Sequence, residues 1–494
     1  MISRLKALVP AQTLLLCSIA ILAVVASLPA QPIRLDPQNP HYFLFHGKPA
    51  VLVTSGEHYG AVLNLDFNYQ KYLATLAADH LNYTRLFTGE YVEKPGSFGI
   101  KLNDLAPAPG RLIAPWARSQ TPGYHNGGNK FDLDRWDPAY FRRLKDFVRQ
   151  AGRHGIVVEV SLFSSQYNNW DMSPLNWTNT VNPVAHVARD DVYTLHNGNL
   201  LAYQVKMVRK IVGELDGFDN VIYEIINEPY ANTPDTAGPI NPYLLNWRKI
   251  WQNRVDLASQ QVLAWQRKIA AVIADTESSL PKRHLIAQNF ANFRYPLLDI
   301  DSHVSILNFH YAWPDAVTLN YGFDRVIGFD ETGFSGHADA TYRRQAWNFL
   351  LAGGALFDNL DYSFTVGHED GTAHNRAPGG GSPALRAQLG VLKHFLESFD
   401  FIRMRPNHEV VRSAPGVFTQ ALGWSGHQYA IYVNGGTQCT LTLALPPGRY
   451  QAEWVSTKTG AVLKRQILSS RHAPVKLQSP GYSEDIALRI VRPQ

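Results

Sequence analysis

Two acidic positions in this chain stand where an enzyme could use them. Val221-Ile-Tyr-Glu-Ile-Ile226 is a short run of β-branched and aromatic residues that stops at Asn227, Glu228 and Pro229. It predicts a buried strand that delivers an amide and a carboxyl group to its C-terminal tip. Arg325-Val-Ile-Gly-Phe329 does the same for Asp330 and Glu331, and is closed by Thr332-Gly333. Two carboxyl groups across one pocket are the minimum equipment for cleaving a glycosidic bond: one protonated to donate to the leaving oxygen, the other ionised to attack the anomeric carbon. Environment decides which is which.

The neighbours divide the labour. Arg85, near the tip of Leu81–Phe87, and His310-Tyr311, at the tip of Val304–Tyr311, would share a mouth with Glu331. A cation and hydrogen-bond donors around a carboxylate keep it ionised, which suits Glu331 as nucleophile. Glu228 has no adjacent cation and follows an apolar strand, a poorly solvated setting that suits an acid/base. Asn227 can hydrogen-bond a sugar hydroxyl. Other readings stay open: an isolated Asn-Glu-Pro is also a turn with a helix start. Asp330 competes with Glu331, since adjacent strand residues point to opposite sides, and is expected to bond locally to the loop. Glu224, four residues before Glu228, is expected to be a buried carboxylate paired inside the fold. Glu57 and His58 either bind substrate or cap the pocket. Trp170, Trp177, Tyr230 and Trp313 sit on loops at the same end, as do Asp361 and Tyr362, while Trp116 and Tyr124 lie on an earlier loop. The histidines form no metal-binding helix motif and no tight cluster, so neither metal nor cofactor is expected.

Glu228 and Glu331 lie 103 positions apart, so the elements carrying them must converge. Strand and helix alternate in a way that achieves this. Ala50–Thr54 is the first strand, followed by a helical face at Tyr69, Tyr72, Leu73 and Leu76. After the second strand, 88–130 is rich in Pro and Gly and reads as a long loop. Asp137-Pro138 is an N-cap and first-turn pair, and Tyr140, Phe141, Leu144, Phe147 and Val148 continue one helical face. Ile156–Leu162 is strand three, and 201–215 a helix leading into strand four. A long helix is expected over 243–276, then strands at 284–289, 304–311, 325–331 and 354–361, with helices at 341–351 and 383–399. Eight strands, most followed by a helix, predict a (β/α)8 TIM barrel, an α/β fold whose strand tips meet at one face.

From about Arg405 the text changes to short alternating runs, such as Gln428–Val433 and Asp485–Val491, divided by Asn434-Gly-Gly and Pro446-Pro-Gly turns. That predicts a small all-β sandwich. At the other end, Arg4 and Lys6 precede an apolar run over 13–25 and Ser27-Leu-Pro-Ala30, the layout of a secretory signal peptide cleaved after Ala30. The expected division is a leader at 1–30, a catalytic barrel at 31–405 and an accessory sandwich at 406–494, in a secreted or periplasmic protein with no membrane attachment after cleavage. Without Cys17 only Cys439 remains, so no intramolecular disulfide is expected.

Charge excludes one class of partner. The formal net charge of +5 falls to +3 without Arg4 and Lys6, and no Lys/Arg-rich run accompanies it, so nucleic acid is not expected. The 11 Trp and 23 Tyr instead suit the flat faces of sugars, and carbohydrate is the expected partner.

These features together carry a resemblance. Asn227-Glu228-Pro229 after strand four, Glu331 after strand seven, an arginine on strand two and His310-Tyr311 on strand six resemble the clan-A retaining glycoside hydrolases, the cellulase-like superfamily. Ser55-Gly-Glu-His-Tyr-Gly60, Asp330-Glu-Thr-Gly-Phe334 and Asp361-Tyr-Ser-Phe364 look like a secreted bacterial group in which a sandwich labelled a collagen-binding domain follows the barrel. The resemblance spans most of 40–494 and implies Glu228 as acid/base and Glu331 as nucleophile. Strand eight departs from it by ending in Asp361-Tyr362 where many relatives carry tryptophan, so their sugar preference does not transfer. The competing expectation is a non-catalytic carbohydrate- or matrix-binding protein on a barrel scaffold.

Overall fold

The computed structural model describes residues 31–240, 243–471 and 473–493; the expected leader lies outside them. Eight parallel strands form the barrel: β1 (Leu52–Gly56), β2 (Tyr83–Phe87), β3 (Val157–Ser161), β4 (Val221–Glu224), β5 (Leu285–Asn292), β6 (Ile306–His310), β7 (Val326–Glu331) and β8 (Leu356–Leu360). They pair in the order β1-β8-β7-β6-β5-β4-β3-β2. Every residue of these strands is buried, which is why they read as near-continuous apolar runs rather than alternating ones. Between β1 and β2 the ring is closed by Asn82, whose side chain accepts from Val53 N at 3.0 Å and donates to Val51 O at 2.8 Å.

Seven helices surround the strands among the described residues: α1 (Tyr69–Ala78), α2 (Pro138–Arg153), α3 (Leu200–Leu215), α4 (Gln260–Ser278), α5 (Pro314–Asn320), α6 (Asp339–Leu351) and α7 (Pro383–Glu397). Only the β5–β6 connection carries none. Capping residues fix where they begin. The Asp137 side chain accepts from Ala139 N at 2.8 Å with Pro138 in the first turn, and Ser382 accepts from Leu385 N at 3.0 Å. α2 turns Tyr140, Phe141, Leu144, Phe147 and Val148 onto the barrel, each side chain contributing about 1.5–3 kcal/mol by leaving water.

Two stretches differ from expectation. The segment 88–130 is a loop only as far as Pro115; Trp116–Pro122 and Asn129–Trp136 then pair as an antiparallel hairpin. The predicted helix over 243–276 begins only at Gln260, where the Ser259 side chain accepts from Val262 N. Before it, Pro234–Pro239 and Arg254–Ala258 pair antiparallel. Within the expected span, Trp247–Lys249 and Trp251–Asn253 are separate 3₁₀ turns and Ile250 between them is extended, at φ −118, which breaks any helix running through it.

After the barrel, six antiparallel strands form one sheet (405–406, 418–424, 428–434, 485–491, 448–455 and 462–470) and three form a second (411–413, 440–443 and 475–478). Strand periodicity decides what each face covers. Tyr429, Ile431 and Val433 point into the core shared with the small sheet, whereas Ala430 and Tyr432 point into the barrel's core, where Tyr432 stacks on Trp347 of α6 at 5.4 Å. The middle strands of the larger sheet are therefore buried on both sides, while its edge strand 462–470 is largely exposed. Arg343 of α6, 2% exposed, pins it with a two-pronged bond to Asp485 at 2.7 and 3.1 Å and a third to Glu484 at 2.8 Å. Cys439 is a buried free thiol. No helix of the described residues is long and apolar enough to cross a membrane.

Candidate active site

A cavity of about 330 Å³ opens at the C-terminal ends of the strands, with Asn227, Glu228 and Glu331 in its wall. Glu331 arrives there through an irregularity. Along β6 and β7, Asn308 pairs with Gly328 but His310 pairs with Glu331, so β7 holds one residue more than its partner over that step. The bulge turns both Asp330 and Glu331 inward at different depths. Asp330 is consequently not bonded to the loop as the strand alternation implied. It lies beneath the cavity, where Asn308 Nδ2 donates to it at 2.9 Å and Arg85 Nη2 stands 3.5 Å away.

Glu228 also needs a departure from regular strand. The β4 ladder ends at Glu224; Asn227 then pairs with Ser164, and Glu228 takes φ 46. Nine non-glycine residues of the described chain have positive φ, and Tyr59, Phe98, Tyr167, Glu228 and Tyr311 among them line this cavity. Backbone strain is concentrated where side chains must be aimed.

The geometry places three groups together. A carboxylate oxygen of Glu228, one of Glu331 and a ring nitrogen of His310 all lie within 4.8 Å of one another. His310 Nδ1 is 3.0 Å from Glu228 Oε1 and 3.4 Å from Glu331 Oε1. Tyr167 donates to Glu228 Oε2 at 2.6 Å, while Tyr59 and Tyr311 donate to the two oxygens of Glu331 at 2.8 and 3.0 Å. Arg85 stands under the floor, its Nη1 donating to the Tyr59 hydroxyl at 2.7 Å and its Nη2 to Asn227 Oδ1 at 3.0 Å. That bond orients the Asn227 amide so that its nitrogen faces Tyr167 and the cavity.

Electrostatics separates the groups. Burial alone would push the Glu331 carboxyl up, but the charge and hydrogen bond of His310, with Arg85 and Tyr59, outweigh it and hold the group down at about 2. Burial would likewise lower His310, yet the Glu331 and Asp330 charges push the imidazole well above its ordinary value. Asp330 is held low against burial by Arg85 and His310. Deeper in the barrel, Glu224 bonds Arg85 Nη2 at 2.6 Å and Glu159 approaches its Nε at 3.6 Å. Burial pushes Glu224 up to about 7 and Glu159 well above the carboxylate range.

The remaining sequence candidates divide. His58, Tyr230 and Tyr311 line the cavity, and Arg85 and His310 reach its carboxylates from below. Glu57 does not reach it: its carboxylate accepts from Gly60 N and Ala61 N and so caps the turn after β1. Asp361 is held instead by Ser55 Oγ at 3.0 Å and Arg386 Nη1 at 2.8 Å, within the β1–β8 seam. Trp170 donates to Val187 O and borders a separate polar groove with Asn176 and Arg189. Trp313 packs on Phe293 under the Arg294 guanidinium, beside the cavity rather than in it. Trp177 stacks on His186, Trp116 on Trp136, and Tyr124 bonds Met172 O. Tyr59, Tyr167, Glu93 and Trp251 were missed. Tyr59 follows the His58 already singled out, and a phenol at a strand tip was the available signal. Trp251 was hidden in the false helix.

Comparison with known proteins adds the family. The family model described as Cellulase (glycosyl hydrolase family 5) matches residues 67–346. No curated protein matches the chain. Among solved structures, a candidate glycoside hydrolase from Bacteroides vulgatus ATCC 8482 superposes with a TM-score of 0.62 at 14% identity, over 94% of this chain and 82% of that one. A glycoside hydrolase family 5 protein from the same organism gives 0.57 at 12% identity, over 93% of each chain. At such identities these likenesses speak for the fold, here the barrel together with the β domain that follows it.

Proposed function

Because this chain belongs to the cellulase family, glycosyl hydrolase family 5, it is an O-glycoside hydrolase, and we propose that it cleaves a poly- or oligosaccharide by double displacement with retention at the anomeric carbon. In the first step a Glu331 oxygen bonds to the anomeric carbon as the glycosidic C–O bond breaks, and Glu228 gives its proton to the departing oxygen. In the second, Glu228 takes a proton from water as the water oxygen replaces Glu331 on that carbon.

The observation that carries this reading is the spacing, with carboxylate oxygens of the two glutamates within 4.8 Å. Retaining enzymes hold their carboxyl groups about 5–5.5 Å apart, whereas inverting ones need about 6.5–9.5 Å to seat a water. The held-down Glu331 supports its part, since a nucleophile must be ionised at working pH. With Glu228 Oε1 facing His310 Nδ1, Oε2 is the oxygen to carry the acid's proton, and the Tyr167 hydroxyl beside it at 2.6 Å then turns to accept rather than donate. Asn227 is positioned to hold a hydroxyl of the bound sugar.

Substitution tests the assignment. Glu331→Ala abolishes turnover, and azide restores part of it by entering the space of the lost carboxylate; a variant that keeps wild-type turnover would refute the role. The same reading makes 31–405 the catalytic unit and 406–494 its accessory. It also has the chain exported, which predicts a mature N-terminus at Gln31, and recovery of exported protein still beginning at Met1 would count against cleavage.

A further inference from the structure

The loop after β2 walls the cavity and shapes what can enter. Tyr91, Glu93, Phe98 and Leu105, all from this loop, line it. The loop is pinned on both sides of the mouth. Lys94 N and Ser97 Oγ donate to Asn169 Oδ1 in the β3 loop, while Lys101 N and Leu102 N donate to Arg376 O and Asn375 Oδ1 in the β8 loop. Between these anchors Phe98 sits at φ 57, flanked by Gly96 at φ 81 and Gly99 at φ 75. A bulky residue in the left-handed region is strained, and this one is also 40% exposed, so burial does not explain its presence. Its ring meets Tyr167, which holds Glu228, at 5.1 Å and Phe334, three residues beyond Glu331, at 6.1 Å. Phe98 therefore bridges the two halves of the site.

Elsewhere the same loop gives the cavity a polar wall. Glu93, 2% exposed, accepts from Asn103 Nδ2 at 2.6 Å and from the Tyr91 hydroxyl at 3.1 Å, and faces His58 Nε2 at 3.3 Å. His58 precedes Tyr59, the residue that bonds Glu331, so this pair lies along the wall on the nucleophile's side, where the glycone must sit. The cavity's 330 Å³ is near the floor of the roughly 300–1,000 Å³ typical of small-molecule sites.

Resting on the hydrolase reading above, we propose that the Phe98 bridge and the Glu93–His58 pair make the glycone side a closed end, so that the enzyme removes short units from non-reducing chain ends. A terminal sugar ends in a free hydroxyl that can donate to Glu93. An internal one carries a linked sugar there instead: its linking oxygen has no proton to donate, and the attached sugar has no exit past Phe98.

The full chain and its Phe98→Gly, Phe98→Trp and Glu93→Gln variants are compared on barley β-glucan, galactomannan and arabinoxylan, and on short oligosaccharides of each labelled at the reducing end. Glycine adopts φ 57 without strain, so the first variant keeps the turn. Wild type and Phe98→Trp release small unlabelled sugars and leave viscosity nearly unchanged. Phe98→Gly raises the viscosity lost per bond cleaved severalfold, and Glu93→Gln raises KM for the oligosaccharides severalfold. Early viscosity loss by wild type, or a Phe98→Gly product pattern identical to wild type, would overturn the closed end and leave the hydrolase reading intact. No sugar released by wild type from these substrates or from aryl glycosides would overturn the hydrolase reading and this inference with it.

Discussion

The Tyr59 hydroxyl donates to Glu331 Oε2 at 2.8 Å while accepting from Arg85 Nη1 at 2.7 Å. The buried guanidinium thus acts on the carboxylate through a phenol as well as across 3.6 Å of space.

Tyr59→Phe keeps the ring and removes that link. A hydrogen bond to a charged group contributes about 1.5–3 kcal/mol, so kcat/KM is expected to fall about 10- to 100-fold. Arg85 Nη1 keeps its bond to Asp330 O at 3.0 Å, so the fold should survive. Steady-state kinetics with circular dichroism checks both halves of this expectation.

His310→Asn removes the imidazolium that outweighs burial at Glu331. A carboxyl whose native value is depressed is ionised above that value, so losing the cation moves it upward. The acid limb of kcat/KM against pH should shift to higher pH, with activity below about pH 5 lost first. A profile with an unmoved acid limb would show that His310 does not hold Glu331 ionised.

Stability should have its own pH dependence. Burial pushes Glu90 up to about 8 from an ordinary 4.5, against bonds from Tyr193 and Gln166 that lower it. A raised native carboxyl keeps a proton that the unfolded chain gives up, so its contribution is full below pH 4.5 and is lost as pH rises towards 8. Glu90→Gln should flatten the fall of Tm across that window, and an unchanged slope would refute the assignment.

Arg343→Ala tests the seam between barrel and sandwich. It leaves Asp485 buried with only the Tyr432 hydroxyl at 2.9 Å. Removing one partner of a buried pair costs about 3–5 kcal/mol, which urea unfolding should detect. A loss below about 1 kcal/mol would show that Arg343 does not hold the seam.

Much of this was legible in the chain. β1 to β8 are buried on both faces, so their apolar runs and polar tips stood out, and Asp137-Pro138 marked α2 through local chemistry alone. What was not legible depends on register and on distant partners. The bulge that sends Asp330 beneath the floor arises from β7 pairing with β6, and Gly328, against which Asn308 packs where the register shifts, is its one sign in the sequence. Tyr167 meets Glu228 from a loop 61 positions away. Asp361 looked like a site residue at a strand tip, yet Arg386 of α7 claims it. The hairpin that carries Trp251 to the cavity was concealed by an apolar spacing that suits a helix equally well.

The central claim is a two-step displacement by Glu331 and Glu228, and its most direct test is proton NMR of the sugar first released from a substrate of known anomeric configuration. The account predicts that the product appears with the substrate's own configuration and only later mutarotates. Initial release of the opposite anomer would contradict it.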